Sequence, residues 1–531
     1  MAFSLLFPNT RQTNNRRNQQ SRPLHQEKGY NDVECEPIDA PTGIAPPFDI
    51  KVIESTIGFN RDEFVATNCW STLPLLIRGA FRNESVTLLH QDIMESSSQE
   101  DLNDDEMIEI EDNDNSWPTW DEMINLSMDE DIESRLITHQ LDSSNTTTTN
   151  VVDHNSWEME LGPFDAHDLR NVEQSAKKMW TLVLNDVDRF HPALFDWISE
   201  TFSFIPNWRR DDGQISLSNQ GGGIGPHVDD YDVFLIQMSG QRRWDVGRRL
   251  ISNKEELEGL IEDLDIRVLN FWDDEVEKGY VNSFVLNPGD VLYLPPRVAH
   301  CGTALLDRSM TLSVGLRAPS AKELITRLTE SISDMTDGNV VKRYRDPSLL
   351  NTRNVDSQIT PKVKNETKEM LKDALLSLVD DEHYFDQLLG RLLTESKRSR
   401  FNYPVPLDEY DGGTRKQMGV WGNAKSSVET MRQGKGTLYA AEGITWAYSE
   451  TKASGCNISR LFANGEVWEV EVTDTDHFSP AIVRHLVNER QFTRENLISL
   501  SRDEITETVP ARIIELIEDL VQKGFLYGTD D

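Results

Sequence analysis

The residues with the clearest chemical potential are two histidines and an aspartate in two separated stretches of the chain. His227 and Asp229 lie two residues apart in GGGIGPHVDDYDVF, which begins at Gly221, and His300 follows LNPGDVLYLPPRVA, which begins at Leu286. Side chains two apart on a strand share one face, so the first pair can bind one ion. Two imidazoles and one carboxylate leave coordination positions open, which suits Fe(II) and oxygen chemistry, whereas zinc usually takes a closed or sulfur-richer set. The pattern therefore predicts an iron site.

The stretches around these residues predict the elements that must position them. The apolar run from Asp232 to Met238 predicts a buried strand, and Ser239-Gly240 before RRWDV predicts a hairpin. The turn signal at 287–290 leads into VLYLP, which predicts a second strand with His300 just past its end. A lone H-x-D pair or a lone histidine is most often structural. Here the glycine-rich turn, both strands and the histidine occur together in one consistent order.

The combined pattern resembles a known family. GGGxGPHxDxYDVFxIQxxGxRRW followed by LYxPPxxxHxG is similar to the JmjC/cupin-type ribosomal oxygenases, and most similar to the bacterial-type hydroxylases that modify an arginine of a large-subunit ribosomal protein. These are 2-oxoglutarate-dependent dioxygenases built on a double-stranded β-helix. The resemblance implies that His227, Asp229 and His300 bind Fe(II), with 2-oxoglutarate and O₂ as co-substrates. It also implies that Arg242 binds the distal carboxylate of 2-oxoglutarate.

Two adjacent arginines compete for that last role. A guanidinium can hold a carboxylate through two parallel hydrogen bonds and stays charged when buried. Arg242 and Arg243 point to opposite faces of a strand, so only one of them can reach into the barrel. Arg242 lies fifteen positions after His227, where the family places this residue. The choice between the two arginines rests on the resemblance.

The implied activity is hydroxylation of a protein side chain, with arginine of a ribosomal protein as the first choice. Histidine hydroxylation or lysine demethylation within the same family remains open, because the loops that select the target cannot be placed from sequence. An alternative of another class is a winged-helix regulator that binds nucleic acid and carries an inactive cupin. The acidic residues Asp211, Asp212 and Asp230 are hypothesised to recognise a basic target.

Composition limits the partners of this 531-residue chain. The net charge of −38 opposes general binding to DNA or to anionic membranes, and it suits a basic partner such as a ribosomal protein. The four cysteines are widely spaced without a C-x-x-C pair, which favours a reducing compartment inside the cell. No apolar run reaches the roughly 18 residues that span a bilayer, so no membrane association is expected.

The N-terminal part contains three stretches that predict little fixed structure. Residues 1–26 hold four arginines and no acid, which resembles an organellar transit peptide, with a basic disordered tail as the alternative. We therefore predict disorder over 1–45 and favour an organelle, mitochondrion or plastid, over the cytosol or nucleus. Nine of the fifteen residues at 100–114 are acidic, which predicts a solvated insertion over 95–116. SSNTTTTN predicts a flexible loop over 140–155.

The expected organisation is a mainly β catalytic domain over 46–318, a helical segment over 319–400 and an α+β domain over 401–531. Leu371, Leu375 and Leu378 recur at helical spacing, and relatives pair two subunits through this segment, which implies a homodimer. The last domain resembles a winged helix: LYAAEGITWAY predicts one strand, Ser479 and Pro510 begin helices, and GFLYG closes the module. The locally basic piece 413–437 is a candidate contact for ribosomal RNA, with a solvated loop as the alternative.

Overall fold

The structure is a computed structural model that describes residues 47–55, 58–81, 117–140, 157–173, 178–261, 266–332, 342–345, 359–395, 424–453, 456–472, 478–500, 509 and 511–529. Chain contacts separate Met1–Ala40 from Pro41–Asp531, and every described residue belongs to the second unit. The predictions for the first 45 residues and for the acidic insertion lie outside the described residues. The same holds for the polar loop except Gln140, and for residues 413–423 of the basic piece.

Twelve strands lie in the described ranges between 47 and 316, and six more follow. The strands of the whole chain are β1 (Lys51–Glu54), β2 (Leu75–Arg78), β3 (Ser134–Gln140), β4 (Glu158–Leu161), β5 (Lys178–Leu184), β6 (Arg210–Ser218), β7 (Asp232–Ser239), β8 (Arg242–Leu250), β9 (Val281–Leu286), β10 (Val291–Leu294), β11 (Val298–Ala304), β12 (Ser309–Leu316), β13 (Thr437–Ala440), β14 (Trp446–Ala453), β15 (Cys456–Ala463), β16 (Glu466–Val472), β17 (Gln491–Phe492) and β18 (Leu526–Thr529).

Helices surround the sheets and dominate after residue 320. They are α1 (Arg61–Ala66), α2 (Trp120–Leu126), α3 (Ala166–Glu173), α4 (Pro192–Thr201), α5 (Asn253–Gly259), α6 (Trp272–Glu277), α7 (Ala321–Ile332), α8 (Pro361–Val379), α9 (Glu382–Thr394), α10 (Ala424–Arg432), α11 (Phe478–Asn488), α12 (Arg494–Ser499) and α13 (Ala511–Gln522). No helix in the described ranges is long and apolar enough to cross a membrane.

Two sheets form the catalytic core. In the described ranges a nine-stranded sheet runs in the order β1-β2-β10-β7-β12-β6-β5-β3-β4, and a three-stranded sheet runs β11-β8-β9. Val233 and Leu235 of β7 pack with Trp244 and Val246 of β8 in one buried cluster, so the two sheets enclose a common core. This burial of apolar side chains stabilises the pair of sheets.

The segment 221–229 completes the smaller sheet along β11. Gly221 N–H donates to Ala304 O at 2.8 Å, His227 N–H to His300 O at 3.0 Å, and Arg297 N–H to Asp229 O at 2.8 Å. The smaller sheet then has four members, 221–229, β11, β8 and β9, and the larger one contributes β6, β12, β7 and β10 in matching order. From β6 to β12 the chain alternates between the two sheets except at β8 and β9, which follow each other in the smaller sheet; this is a double-stranded β-helix. The prediction of a mainly β core is confirmed.

The hairpin predicted at Ser239-Gly240 is wrong as a strand pair, because β7 pairs with β10 and β12 whereas β8 pairs with β11 and β9 in the other sheet. The turn itself is present at Gly240, whose φ of +64° is in the left-handed region. A Cβ there would lie 2.8 Å from the Cα of Ser309, so glycine is required for space as well as for conformation.

One predicted strand is wrong. LYAAEGITWAY forms two strands, since β13 pairs with β17 and β18 whereas β14 pairs with β15. A left-handed turn at Gly443, with φ of +67°, separates them. His300 lies past the end of β10 as predicted, and it belongs to a further strand, because Val298–Ala304 forms β11 and pairs with β8.

The C-terminal half packs around its own core and against the barrel. α10, α11, α12 and α13 bury Val428, Ile482, Leu497 and Ile517 in one cluster with β13 and β18. The helix α9 lies on β14, where buried Arg460 of β15 binds Asp386 at 2.5 Å. A shared cluster of apolar side chains joins α7, α8 and α9. The predicted helical segment and mixed C-terminal region are therefore both present, although their exact limits stay predictions.

Candidate metal centre

The structure brings the three residues selected from the sequence to one point. One ligand atom from each of His227, Asp229 and His300 lies within 4.8 Å of the others. The Nε2 atom of His300 is 3.6 Å from Oδ2 of Asp229, and the two imidazole centroids are 4.3 Å apart. His227 and Asp229 come from the segment 221–229, and His300 comes from the neighbouring β11. The fold thus places the three residues from two stretches 71 positions apart side by side.

Hydrogen bonds to the backbone fix both imidazole rings. Nδ1 of His227 bonds to the carbonyl oxygen of Gly225 at 2.9 Å, and Nδ1 of His300 bonds to that of Val298 at 3.0 Å. A carbonyl accepts, so each Nδ1 carries the proton and each Nε2 keeps a lone pair for a metal. Burial, with the neighbouring His227, lowers the pKa of His300 to about 4. The ring is therefore neutral near pH 7, as a ligand must be.

The glycine run before His227 allows a close approach of backbone segments. A Cβ at position 222 would lie 2.1 Å from the carbonyl oxygen of Trp180, and one at 223 would lie 2.3 Å from that of Gly302. Gly225 has a φ of +82°, which a side chain would strain. The sequence GGGIG predicts a tight turn. In the structure these glycines also allow the metal-binding segment to lie between β5 and β11.

Arg242 at the start of β8 is a buried cation without a buried anion. The residue is 3% exposed, and its Nη1 and Nη2 donate to the hydroxyls of Ser216 at 3.3 Å and Ser218 at 2.6 Å. Its Nε has no partner within the described part of the chain. Burial lowers its pKa to about 10, so the guanidinium is still charged near pH 7. A buried charge of this kind requires a counterion, and a carboxylate is the matching group.

The neighbour Arg243 faces the other side of β8. Its Nε bonds to Oδ2 of Asp245 at 3.1 Å, and its side chain is 31% exposed. Trp244 neighbours both the proposed metal site and Arg242: its ring centroid is 5.7 Å from that of His300, and the Arg242 guanidinium lies 5.9 Å from it. The geometry therefore favours Arg242 as the residue that could bind a carboxylate inside the barrel.

Sequence reasoning missed the hydroxyls that hold this arginine. Ser216 and Ser218 lie two apart on β6 and so share a face, and Thr181 of β5 is 2.8 Å from the Ser218 hydroxyl. The signal was present as two serines in alternation just before the glycine run. The role of these serines is visible only in the folded structure. There β6 and β8 lie in opposite sheets, and the serines reach Arg242 across the core.

The acidic residues proposed to recognise a substrate are engaged within the chain. Asp230 binds Arg297 at 2.7 Å, and Asp211 lies 3.5 Å from Arg317. The side chain of Asp230 is nonetheless 65% exposed. Recognition of a basic target by these residues stays a hypothesis, since each carboxylate is already partly neutralised.

The barrel and the three convergent ligands define a class of protein. Residues 197–324, which include every candidate site residue, match the JmjC domain family. The motifs selected from the sequence therefore lie in a region that is similar to JmjC domains.

Two bacterial proteins align with about half of this chain. The chain is 30% identical over 277 residues to the ribosomal protein uL16 3-hydroxylase of Escherichia coli (strain K12), and 29% identical over 279 residues to a probable ribosomal oxygenase of Haemophilus influenzae. Each alignment covers 52% of this chain, and 64% and 62% of the two relatives. The matches thus span slightly less than two thirds of these relatives. They confirm the predicted resemblance to ribosomal oxygenases.

Solved structures show the same fold. An X-ray structure of Escherichia coli YcfD superposes with a TM-score of 0.59 at 23% identity, covering 90% of this chain and 100% of that one. A YcfD structure described as a ribosomal oxygenase in complex with cobalt and 2-oxoglutarate gives a TM-score of 0.56 at 23% identity, covering 88% and 98%. The likeness therefore extends beyond the JmjC domain.

Proposed function

We propose that this protein is an Fe(II)- and 2-oxoglutarate-dependent oxygenase that hydroxylates a side chain of a ribosomal protein, with arginine as the favoured target. The observation that carries the proposal is the pairing of two features in one barrel. Ligand atoms of three side chains converge, and in the described part of the chain no carboxylate pairs with the buried guanidinium of Arg242. A metal ion and a dicarboxylic acid would satisfy both.

The residues of the chain would divide the work as follows. His227, Asp229 and His300 would hold Fe(II) and leave positions open. Arg242 would orient the distal carboxylate of 2-oxoglutarate, with Ser216 and Ser218 fixing the plane of its guanidinium. When bound, the iron and 2-oxoglutarate would supply the coupling of oxidative decarboxylation to oxidation of a C–H bond by O₂. The buried walls of the barrel exclude water around the reacting groups.

Binding of the metal and co-substrate can be tested directly. Anaerobic titration of the purified protein with Fe(II) and then 2-oxoglutarate should produce the weak visible absorption of the chelate. His227→Ala should abolish that absorption. Arg243→Ala is the matched control, because this residue faces away from the barrel and should leave the absorption intact. Absence of the band from the unsubstituted protein would remove the proposal.

The target residue requires a separate experiment. Mass spectrometry should compare ribosomal proteins from cells with and without this enzyme, and a peptide lighter by about 16 mass units in the deficient cells names the substrate. The relative in Escherichia coli is named for uL16, so that protein is the first to inspect. Loss of the increment from a histidine would select histidine hydroxylation, and a gain of methyl groups on lysine would select demethylation. No changed ribosomal peptide would contradict the choice of substrate.

We also propose that the protein is a homodimer that pairs through its helical segment. Exposed apolar side chains on α7 and α8 support this proposal: Ile325 is 62% exposed, Leu371 60% and Leu376 55%. Apolar surface of this kind is stabilised when a second copy covers it. The double variant Leu371→Glu, Leu376→Glu should elute as a monomer with unchanged helix content. If the unsubstituted protein is already monomeric at micromolar concentration, the proposal is refuted.

For the C-terminal region we propose a winged-helix module that does not act as a general nucleic-acid binder. The apolar face of α13 is buried, and its more exposed positions carry Glu515 and Glu518 along with a single arginine, Arg512, which is a poor match for phosphate. The competing view, a nucleic-acid-binding regulator with an inactive cupin, predicts tight binding to duplex DNA or RNA. Electrophoretic mobility shifts at physiological salt should show none. A contact of 413–437 with ribosomal RNA is tested by crosslinking to isolated ribosomes.

The compartment is proposed from the sequence alone. Residues 1–26 combine four arginines with no acid, which supports delivery to a mitochondrion or plastid. Fusion of residues 1–45 to a fluorescent protein should direct it to an organelle. A fusion that stays in the cytosol or enters the nucleus would refute this proposal.

A further inference from the structure

Arg297 adopts a backbone conformation that arginine rarely takes. It lies between β10 and β11, three residues before His300, and its φ is +69°. The left-handed region is unfavourable for a residue with a Cβ, so surrounding contacts must hold the residue there. A glycine would adopt this turn without strain. The presence of arginine therefore raises the question of what its side chain does.

The backbone of Arg297 is bonded to the metal-binding segment. Its N–H donates to the carbonyl oxygen of Asp229 at 2.8 Å. Its own carbonyl accepts from the N–H of Ile251 at 2.8 Å, at the end of β8. The residue thus links the proposed carboxylate ligand with the segment 251–269 that follows β8.

The side chain of Arg297 connects the same two segments through charged hydrogen bonds. Its Nη1 donates to Oδ1 of Asp230 at 2.7 Å and to Oε2 of Glu256 at 2.6 Å, and its Nε donates to the carbonyl oxygen of Ile251 at 2.8 Å. Glu256 is only 4% exposed, so the ion pair is shielded from solvent on that side. Charge-assisted bonds to both carboxylates tie the residue after Asp229 to the helix α5.

The segment reached by Arg297 also contacts the other side of the metal-binding turn. Leu269 N–H donates to the carbonyl oxygen of Pro226 at 2.9 Å, and a Cβ at Gly225 would lie 2.8 Å from a methyl group of Val268. Residues 226–230 are therefore held at both ends by the same segment. Arg297 supplies the ionic part of that attachment.

We propose that Arg297 is a positioning residue for Asp229: its guanidinium, anchored by Glu256, fixes the carboxylate ligand of the metal site. The inference rests on the proposed function, because it assigns Arg297 a role in metal binding. It differs from a stabilising ion pair in one respect. The effect of its loss falls on the affinity of the folded protein for the metal, and not only on the stability of the fold.

Arg267 offers a matched control. It also pairs with Glu256, yet its side chain is 63% exposed, and within the described ranges it forms no ion pair with Asp229 or Asp230. Removing Arg267 deletes an ion pair with the same glutamate while the link from Arg297 to the metal-binding segment remains. A difference between the two variants therefore reports the link to Asp229.

The experiment is a Co(II) titration of the full chain, followed by isothermal calorimetry and by the visible absorption of the bound ion. Arg297→Gly relieves the left-handed strain and removes the ionic link, and it should weaken Co(II) binding by about 10-fold or more and change the spectrum. Arg297→Lys keeps the charge but loses the forked set of donors. Its Co(II) affinity should therefore lie between that of the unsubstituted protein and that of Arg297→Gly. Arg267→Ala should stay within about twofold of the unsubstituted protein.

Further measurements separate positioning from folding. Thermal unfolding of the metal-free proteins shows whether each variant is folded at the titration temperature, and turnover should show a lower kcat with little change in the KM for 2-oxoglutarate, because Arg242 is untouched. If Arg297→Gly does not fold, Glu256→Gln serves instead, since it loosens the anchor without altering the turn. It should weaken Co(II) binding in the same direction.

The outcomes distinguish this inference from the proposed function. If the unsubstituted protein binds no Co(II), or if His227→Ala binds it equally well, the metal site itself is wrong. If the unsubstituted protein binds Co(II) and folded Arg297→Gly binds it with the same affinity and spectrum, the site stands and the positioning role is wrong. Equal weakening in Arg297→Gly and Arg267→Ala would also overturn the positioning role.

Discussion

Two buried arginines in this protein differ in a way that identifies a binding residue. Arg460 is fully buried and lies 2.5 Å from Asp386 and 2.7 Å from Glu469, so its charge is compensated within the chain. Arg242 is 3% exposed, and among the described residues its hydrogen-bond partners are the hydroxyls of two serines. A buried ion that lacks a partner destabilises a fold unless a ligand supplies the partner. The same residue type is structural in one place and a ligand-binding group in the other.

Replacing Arg242 tests that distinction. Arg242→Met should raise the KM for 2-oxoglutarate about 100-fold, which corresponds to roughly 3 kcal/mol for a buried charge pair. The metal-free variant should unfold at the same or a higher temperature, because an uncompensated charge has gone. Arg243→Met should leave the KM within about threefold, since an exposed pair contributes little. Equal effects of the two substitutions would contradict the assignment.

Burial of His139 makes the stability of the fold depend on pH. His139 on β3 stacks on Trp157 with ring centroids 4.4 Å apart, and burial lowers its pKa to about 4. Between pH 6.5 and 4 the unfolded chain binds a proton that the folded chain does not bind. Stability is therefore greatest above pH 6.5 and falls as the pH falls towards 4.

His139→Phe should reduce that acid sensitivity. The aromatic ring can still stack on Trp157, but it cannot titrate. At pH 5 the loss attributable to His139 is about 2 kcal/mol, so the difference in unfolding free energy between pH 7 and pH 5 should shrink by about that amount. Chemical denaturation at the two pH values measures it. The exposed His167→Phe is the control, and an unchanged difference in His139→Phe would refute the argument.

At the scale of elements, the metal-binding turn depends on how closely backbone segments approach one another. The run from Gly221 to Gly223 lies against β5 and β11, and its second and third residues face carbonyl oxygens. Side chains can move when they are crowded, whereas two backbones locked in sheets cannot. The glycines are thus a condition for closing the smaller sheet around the candidate metal centre.

Gly222→Ala should disrupt this element. The added Cβ would lie 2.1 Å from the carbonyl oxygen of Trp180, so the segment must shift and carry His227 with it. We expect Co(II) affinity to fall by at least about 10-fold, together with a loss of about 2 kcal/mol in stability. Gly315→Ala on β12 is the control, because its nearest atom belongs to the Asp212 side chain at 3.1 Å. Similar losses in both variants would show that the close approach is not the cause.

At the scale of the whole molecule, the C-terminal region is joined to the barrel by polar contacts. Arg490, after α11, lies 2.9 Å from Asp196 of α4 and also binds buried Glu442. Nearby, the Trp446 N–H donates to Oδ1 of Asn207 at 2.7 Å. Burial by itself lowers the pKa of Arg490, but the nearby Glu442 and Asp196 outweigh burial and hold the pKa above its usual range. We expect this junction to couple the unfolding of the two regions.

Arg490→Met should uncouple them. The substitution leaves Glu442 buried without its cation, which costs about 3 kcal/mol or more. Calorimetry should then show the C-terminal region unfolding at a lower temperature than the barrel. The double variant Arg490→Met, Glu442→Gln should recover part of the loss, because no charge is left unpaired. Arg484→Met removes an exposed pair with Glu450 and is the control. A single unshifted transition in Arg490→Met would contradict the proposed coupling.

The sequence by itself predicted the candidate metal ligands and several strands, whereas the double-stranded β-helix and the oxygenase chemistry were implied by the resemblance. Residue types and spacing selected His227, Asp229 and His300. Turn and strand patterns predicted β7, β8 and β10, because backbone preferences and apolar alternation depend on neighbouring residues. Arg242 was chosen only through the resemblance.

The tertiary structure decided everything that depends on contacts between distant segments. Placing β8 opposite β6 buried Arg242 against Ser216 and Ser218, and pairing β13 away from β14 divided one predicted strand into two. The link from Arg297 to Asp229 spans 68 positions in sequence and depends on a left-handed turn that no local pattern predicts for arginine. Compensation of charge and closeness of backbones are properties of the folded chain, because they arise between residues that the sequence separates.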